Sequence, residues 1–415
     1  MISVKKVLPL FILLTLCATG CSSSRSPVVV GAVYPTSGGQ GMGGVEEFRG
    51  VRLAAEMANR RGGVDGRPIQ LLPEPADSVD EGPGAVNAAV DGGAQIVVGS
   101  YGSTISESAA RTASQMNVVF WETGAVGQIG APARAGSRFF RVAPSGASLG
   151  RAAIEFVQNE FLPRLRRSSS ARYGVVYVDD VYGRSVAFGA LQTIRRQGLP
   201  LAGTFPYRLD DANYEQLARS IRHARVEVLF VSSYLRDAIA MRRALLREQV
   251  HLLAGIGTSS SYCMPAFGLS LGKTAVGLFA SDKPDGEILR PDTLSPQAAA
   301  LLRWARTTYR ARYGQYMTAA ALSGFASAWA LFHHVLPVAK DLSSDEIAEA
   351  ARRASLPIGA LPNGSGVRFG SAGTAVAGEN VRAESVIWEW VRPGFREVVW
   401  PPAFATGPIR TMDIG

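Results

Sequence analysis

Short apolar runs alternate with stretches of helical spacing along most of this chain. Val28–Tyr34 (VVVGAVY) is nearly continuous in apolar residues, as suits a parallel strand buried on both faces. From Glu46 to Arg61, Phe48, Val51, Ala55 and Ala58 fall on one side at helical spacing. Gly62–Gly66 (GGVDG) ends that helix and turns the chain. Further strands are predicted at Ile69–Leu72, Ala94–Gly99 and Asn117–Trp121, with a helix over Ser103–Met116. A second series follows: helix Gly150–Phe161, strand Gly174–Val178, helix Arg184–Gln197, strand Val226–Val231, helix Asp237–Glu248 and strand His251–Ile256. This alternation predicts an α/β fold of two doubly wound, Rossmann-like lobes with parallel sheets.

From Ser295 the pattern turns helical, at about 295–313, 318–339 and 344–354, before strand-like pieces return at Ser385–Val391 and Glu397–Trp400. Tail strands behind a helical block must join a sheet already built, so the chain is expected to cross between lobes at several hinges. The expected division is 28–143 with 280–383 for the first lobe, and 144–279 with 384–415 for the second. The Gly-rich pieces Pro362–Gly366 and Gly370–Gly378 read as surface loops.

The N-terminus has a job of its own. Lys5 and Lys6 form a basic start, Val7–Leu16 is a short apolar run, and Ala18-Thr19-Gly20 are small residues before Cys21. The run is too short to cross a hydrocarbon core of about 30 Å, so residues 1–20 read as a secretory signal. Cys21 in this setting resembles the lipobox cysteine of bacterial lipoproteins, which is acylated. Ala18 stands where Leu is usual. Residues 21–27 follow as a polar tether. No later stretch reads as long and apolar enough to span a membrane.

Loss of Lys5 and Lys6 lowers the formal charge from +9 to +7. The basic residues are scattered, with no block of interleaved aromatics, so nucleic acid is not an expected partner. After Cys17 and Cys21, Cys263 is the remaining cysteine. The mature body has no internal disulfide and must rest on its core.

The segments GAVYPTSG and EEFRGVRLAAEMANRRGGVDGRPIQLL, followed in order by AQIVVGSYGS, FFRVAPS, GVVYVDDVYGRS, VEVLFVSSY and GVRFGSAG, resemble the leucine/isoleucine/valine-binding protein family of ABC transporters. The resemblance covers nearly the whole mature chain. It implies a type I periplasmic binding protein: a monomer without enzymatic activity, cofactor or metal. Such a protein closes two lobes on a small polar molecule and passes it to a membrane permease and ATPase. A lipid-anchored protein of this kind works in the periplasm or at the cell surface.

The resemblance also points to site residues. The loop matching Gly99–Thr104 holds the ligand's carboxylate in the family, through the residue aligned with Ser103. Ser103 and Thr104 are also helix-capping types, and a helix N-terminus suits an anion. In Glu122–Gly127 small residues make main-chain contacts in the family, which nominates Ala125 and Gly127. Val126 stands near the place of a usual Thr. Glu122, at the carboxyl end of a predicted strand, points toward the crevice of an open sheet and is a candidate partner for an ammonium or guanidinium. Tyr182 aligns with a family aromatic that closes over the ligand. Tyr34 and Tyr234 are similar candidates.

One departure stands out. Amino-acid binders carry an acid in the loop matching Gly257–Tyr262, where this chain reads GTSSSY. Ser259 keeps a polar contact there, but burying an ammonium without an acid is costly. Either Glu122 or Asp180 takes over, or the ligand is not an α-amino acid: an amide or a small carboxylate also fits a Ser/Thr-lined pocket.

Two other classes compete. A sensor or scaffold of the same fold is not separated from a transport receptor by sequence. Gly39-Gln40-Gly41-Met42-Gly43-Gly44 matches a dinucleotide fingerprint, with Glu74 as a ribose acid, but its glycines begin five residues past Tyr34. Neither a nucleophile elbow nor a P-loop is present. Adjacent His333 and His334 do not form an i, i+4 metal pair.

Overall fold

The computed structural model describes residues 25–128, 138–166, 171–412 and 414. The signal segment and Cys21 lie outside them. The first lobe opens with strand β1 (Val28–Tyr34), helix α1 (Gly38–Arg60), β2 (Ile69–Pro75), α2 (Glu81–Asp91), β3 (Ile96–Gly99), α3 (Ser103–Gln115), β4 (Val119–Glu122) and β5 (Phe139–Arg141). These strands form one parallel sheet in the order β2-β1-β3-β4-β5. All four residues of β3 and of β4 are buried, which is why those segments carry no polar alternation.

The second lobe runs through α4 (Gly146–Phe156), β6 (Tyr173–Val178), α5 (Val181–Arg196), β7 (Leu201–Tyr207), α6 (Tyr214–His223), β8 (Val228–Ser232), α7 (Leu235–Arg247), β9 (Ala254–Thr258), α8 (Pro265–Leu271) and β10 (Phe279–Asp282). The chain then returns to the first lobe with α9 (Pro296–Tyr313), α10 (Ala319–Trp329), α11 (Ser344–Arg353) and the short pair β11 (Ser355–Leu356) and β12 (Val367–Arg368). It ends with β13 (Val386–Arg392) and β14 (Phe395–Trp400). The second sheet is β14-β13-β10-β9-β8-β6-β7, parallel except for the antiparallel pairings β10–β13 and β13–β14. The tail strands therefore do join a finished sheet. Because β10 pairs with both β9 and β13, the second sheet continues through Asp282, past the change of lobe expected at residue 280.

In both sheets the strand order reverses beside the first strand of its lobe: β1 lies between β2 and β3, and β6 between β7 and β8. Loops leaving neighbouring strands there part to opposite faces and leave a crevice at the carboxyl ends. The chain crosses between sheets after β5, after β10 and before β13. Asn380 ties two of these crossings, its Nδ2 donating to Val142 O at 3.0 Å and to Gly366 O at 2.9 Å.

Three expectations are corrected. Helix α1 begins at Gly38 rather than Glu46, so the glycine run forms its first turns. A loop-bound dinucleotide is ruled out there. Pro362–Gly366 is buried, not a surface loop: Ser365 Oγ accepts Glu384 N–H at 2.9 Å, and the Phe404 ring lies over Gly364. Ala319–Val338 has a mean hydropathy of 1.3 and is long and apolar enough to span a membrane, yet 89% of it is buried. It is the central helix of the first lobe, and Gly50 and Gly324 let α1 and α10 approach backbone to backbone.

Candidate functional site

The carboxyl ends of the two sheets face each other across a nearly closed cleft. A remaining cavity of about 10 Å³ lies at its centre. From the first lobe it is lined by Gln40, Tyr101, Ser103, Gly124 and Val126. From the second come Tyr182, Tyr234, Ser259 and Ser260, and Lys283 enters from the crossing after β10.

Each side chain is placed by local structure. Asp77 takes the backbone N–H groups of Thr36 and Ser37 at 2.6 and 2.9 Å, which fixes the turn that launches α1 and Gln40. At Gly43 any Cβ would stand 2.2 Å from the Tyr101 ring, so the glycine is what admits that ring against the helix. Ser103 is the first residue of α3, Gly102 being the cap, and its hydroxyl accepts Gly127 N–H at 3.0 Å. The expected capping role is thus replaced by a tie to the next loop. The first-turn amides of α3 have no carbonyl within their own helix.

In the second lobe Asp180 caps α5, its Oδ1 accepting Gly183 N–H at 2.8 Å. Its Oδ2 accepts the Tyr234 hydroxyl at 2.6 Å, so one carboxylate holds the openings of α5 and α7. The Tyr182 and Tyr234 rings lie 5.4 Å apart, and the Tyr182 hydroxyl meets Thr258 Oγ1 at 2.8 Å. The lobes touch directly. Gln40 Nε2 donates to the Tyr234 hydroxyl at 3.3 Å, and Gln128 N–H donates to Ser185 Oγ at 2.6 Å.

Of the nine residues read from the sequence, Ser103, Tyr182, Tyr234 and Ser259 line the central cavity. The other five do not. Thr104 faces a separate groove between the lobes, with Asp77, Asp180 and Leu209. Tyr34 is turned into the first lobe's core, stacked on Phe48 at 5.4 Å. Its hydroxyl meets Thr123 Oγ1 at 2.6 Å, and Thr123 in turn donates to Glu47 Oε1 at 2.7 Å. Glu122 is fully buried and serves its own loop: Oε1 accepts the N–H groups of Gly124 and Ala125 at 2.9 and 2.8 Å, and Oε2 accepts the Ser106 hydroxyl. The amide of Ala125 is thereby spent within the protein, and that of Gly127 is spent on Ser103 Oγ. Glu122 and Ala125 share one reason: the end of β4 curls back on itself, and the buried acid at its end is consumed in holding the curl.

Burial pushes the Glu122 carboxyl up to about 8, with the Glu47 charge adding to it and Arg141 opposing. Burial likewise raises Glu47 to about 7, against the pull of Lys283. Asp180 is spent on Gly183 and Tyr234, so neither acid named for an ammonium is free to meet one.

Gln40, Tyr101, Gly124, Val126, Ser260 and Lys283 line the cavity without having been expected from sequence as site residues. Gln40 sat in the glycine run. Tyr101 lies in the Gly99–Thr104 loop, two residues before Ser103. Lys283 directly follows β10. Its Nζ donates to Gly124 O at 2.8 Å and lies 5.8 Å from the Tyr101 ring centre. A charged residue just past a parallel strand was the available signal.

Beside the central cavity, and sharing Tyr101, Ser259 and Lys283 with it, lies a chamber of about 370 Å³. Met42, Met264, Pro265, Leu269, Ala319 and Ala320 make its apolar wall. Its volume is in the range of roughly 300–1,000 Å³ typical of small-molecule sites.

Residues 27–378 match the family described as periplasmic binding protein. A Leu/Ile/Val-binding protein homolog 8 from Brucella suis biovar 1 is 24% identical over 401 residues, covering 95% of this chain and 96% of that protein. A leucine binding protein from Thermotoga maritima superposes with a TM-score of 0.73 at 16% identity, over 89% of this chain and 97% of that one. A branched-chain amino acid transporter substrate binding protein from Streptococcus pneumoniae, solved with isoleucine, gives 0.70 at 18% identity, over 90% and 100%.

Proposed function

The chain belongs to the periplasmic binding protein family, in its Leu/Ile/Val-binding, type I form, whose members bind substrates and are not enzymes; from this premise we propose that it is the lipid-anchored substrate receptor of an ABC importer. It captures a small carboxylate-bearing molecule between its lobes, closes by hinge motion, and delivers the guest to a permease driven by an ATPase. The observation that carries this reading is the composition of the central cavity. Ser103 at the start of α3 and the Lys283 ammonium stand on one side, and Tyr182, Tyr234 and Ser259 of the other lobe stand opposite. A helix N-terminus and a buried cation favour an anionic group. Contacts from both lobes make closure and binding one event.

The anchor is Cys21 after removal of residues 1–20, which places the body in the periplasm or at the cell surface as a monomer. The lobe division is proposed as 28–143 with 283–383, and 144–282 with 384–415. Ala125 and Gly127 act through the loop they build, while Ser103, Tyr182, Tyr234 and Ser259 touch the guest.

A thermal-shift screen against amino acids, amides and small carboxylates tests the reading. A guest at 100 times its dissociation constant adds about 2.7 kcal/mol. The combined Ser103→Ala and Tyr182→Ala variant should stay folded and lose that shift. An unchanged affinity in this variant removes both residues from the site. Transport, as opposed to sensing, is tested by uptake of the labelled guest in cells with and without the protein.

A further inference from the structure

Behind the loop that lines the central cavity lies a layer of buried charge. Glu47, on α1, is fully buried. Its Oε1 accepts the Thr123 hydroxyl at 2.7 Å. Its Oε2 has no hydrogen-bond partner among the described residues and lies against Gly124, where any Cβ would collide with it. The carbonyl of the same glycine accepts Lys283 Nζ at 2.8 Å. The Lys283 ammonium, 4% exposed, thus has the cavity on one side and pulls on the Glu47 carboxyl on the other.

The other groups around Glu47 leave the open oxygen without a partner. From β1 comes the Tyr34 hydroxyl, which burial raises far above its ordinary value, so it stays neutral. From the end of β4 comes Glu122, whose two oxygens already accept Gly124 N–H, Ala125 N–H and the Ser106 hydroxyl. The Arg141 charge beside Glu122 is paired with Glu379 at 2.9 Å. From α10 come the Ser323 and Ser327 hydroxyls, both donated to Thr123 O. Asp282, next to Lys283 in the chain, is also buried and also feels its charge. Glu47, Glu122, Glu379 and Asp282 therefore answer to two cations, Arg141 and Lys283. Full ionisation leaves buried negative charge uncompensated, which is costly. Glu47 Oε2 is the open place for a proton in this layer, and burial raises that carboxyl to about 7.

We propose that Lys283 is shared between Glu47 and the guest's carboxylate, so that capture of the guest draws a proton from solvent onto Glu47 Oε2. The anion takes over the ammonium, Glu47 becomes neutral, and the charge of the closed cleft is unchanged. This rests on the central cavity as the seat of the guest's carboxylate and adds its regulation by pH. Below pH 7 the free protein already carries the proton and affinity has its full value. Above it the proton must enter with the guest, and affinity falls by up to about tenfold per pH unit.

The test is titration calorimetry with acetate, 4-methylpentanoate and leucine at pH 6 and pH 8, repeated at pH 8 in Tris and in HEPES, whose ionisation heats differ. Each compound that binds should bind about tenfold more weakly at pH 8, and the buffer dependence should show about one proton taken up per guest. This proton count needs no variant. Glu47→Gln, its fold checked by circular dichroism, should bind with one affinity at both pH values and take up no proton. Asp282→Asn should keep the wild-type pH dependence. Equal wild-type affinity at the two pH values, proton uptake that persists in Glu47→Gln, or its loss in Asp282→Asn overturns the proton link and leaves the receptor reading intact. Failure of all three compounds to bind at either pH overturns the carboxylate seat and the proton link together.

Discussion

The side-chain amide of Gln40 donates to the hydroxyl of Tyr234 across the cleft at 3.3 Å, so the first helix of one lobe is latched to the residue that opens α7 in the other. The same hydroxyl donates to Asp180, which also caps α5. Closure is therefore read by three helix starts at once.

Gln40→Ala should lower guest affinity without unfolding either lobe. One exchanged hydrogen bond is worth about 1 kcal/mol, or about a fivefold weaker dissociation constant. Calorimetry on the variant checks the magnitude, and a shift of small-angle scattering toward an open form checks the cause.

The Glu47 carboxyl, raised to about 7 by burial, makes stability depend on pH. The folded protein holds this proton more tightly than the unfolded chain. The contribution is fully present below the ordinary carboxyl range near 4.5 and is lost as pH rises through about 7. The melting temperature should fall between pH 5 and 8, and Glu47→Gln should flatten part of that fall.

Arg141 is fully buried and pairs with Glu379 at 2.9 Å, while also donating to Gly127 O. Glu379→Gln leaves that guanidinium without its counter-charge. Breaking one side of such a pair costs about 3 kcal/mol, so a clear drop in the denaturant midpoint is expected. Because Gly127 belongs to the loop tied to Ser103, guest affinity should fall as well.

At Gly50 a Cβ would stand 2.0 Å from Ala321 O, where α1 crosses α10. Backbone cannot yield as a flexible side chain can. Gly50→Ala should cost about 1–3 kcal/mol of first-lobe stability, seen by denaturant unfolding. The second lobe's own transition should stay in place.

Cys21→Ser should abolish incorporation of labelled fatty acid and release the mature body from membranes. A chain that stays membrane-bound and unlabelled would refute the anchor.

The order of strands and helices was legible because a strand buried on both faces must be apolar throughout, as VVVGAVY and VEVLFV are, and because helices between such strands repeat at 3.6 residues. Those patterns are local, and they sufficed for two lobes with tail strands added late. The loop ends were a different matter. Glu122 and Tyr34 sit at the carboxyl ends of parallel strands, as ligand-binding residues do, yet both turn inward. Which way they turn depends on partners distant in sequence, Ser106 and Thr123, that no local pattern reveals. Lys283 and Gln40 enter the cleft for the same reason in reverse. A hinge crossing and the launch of a helix, each anchored by remote contacts, carry them there. Sequence determines which surfaces are apolar and hence which elements form. The meeting of strand ends from two sheets decides which polar groups are spent inside the protein and which remain for a guest.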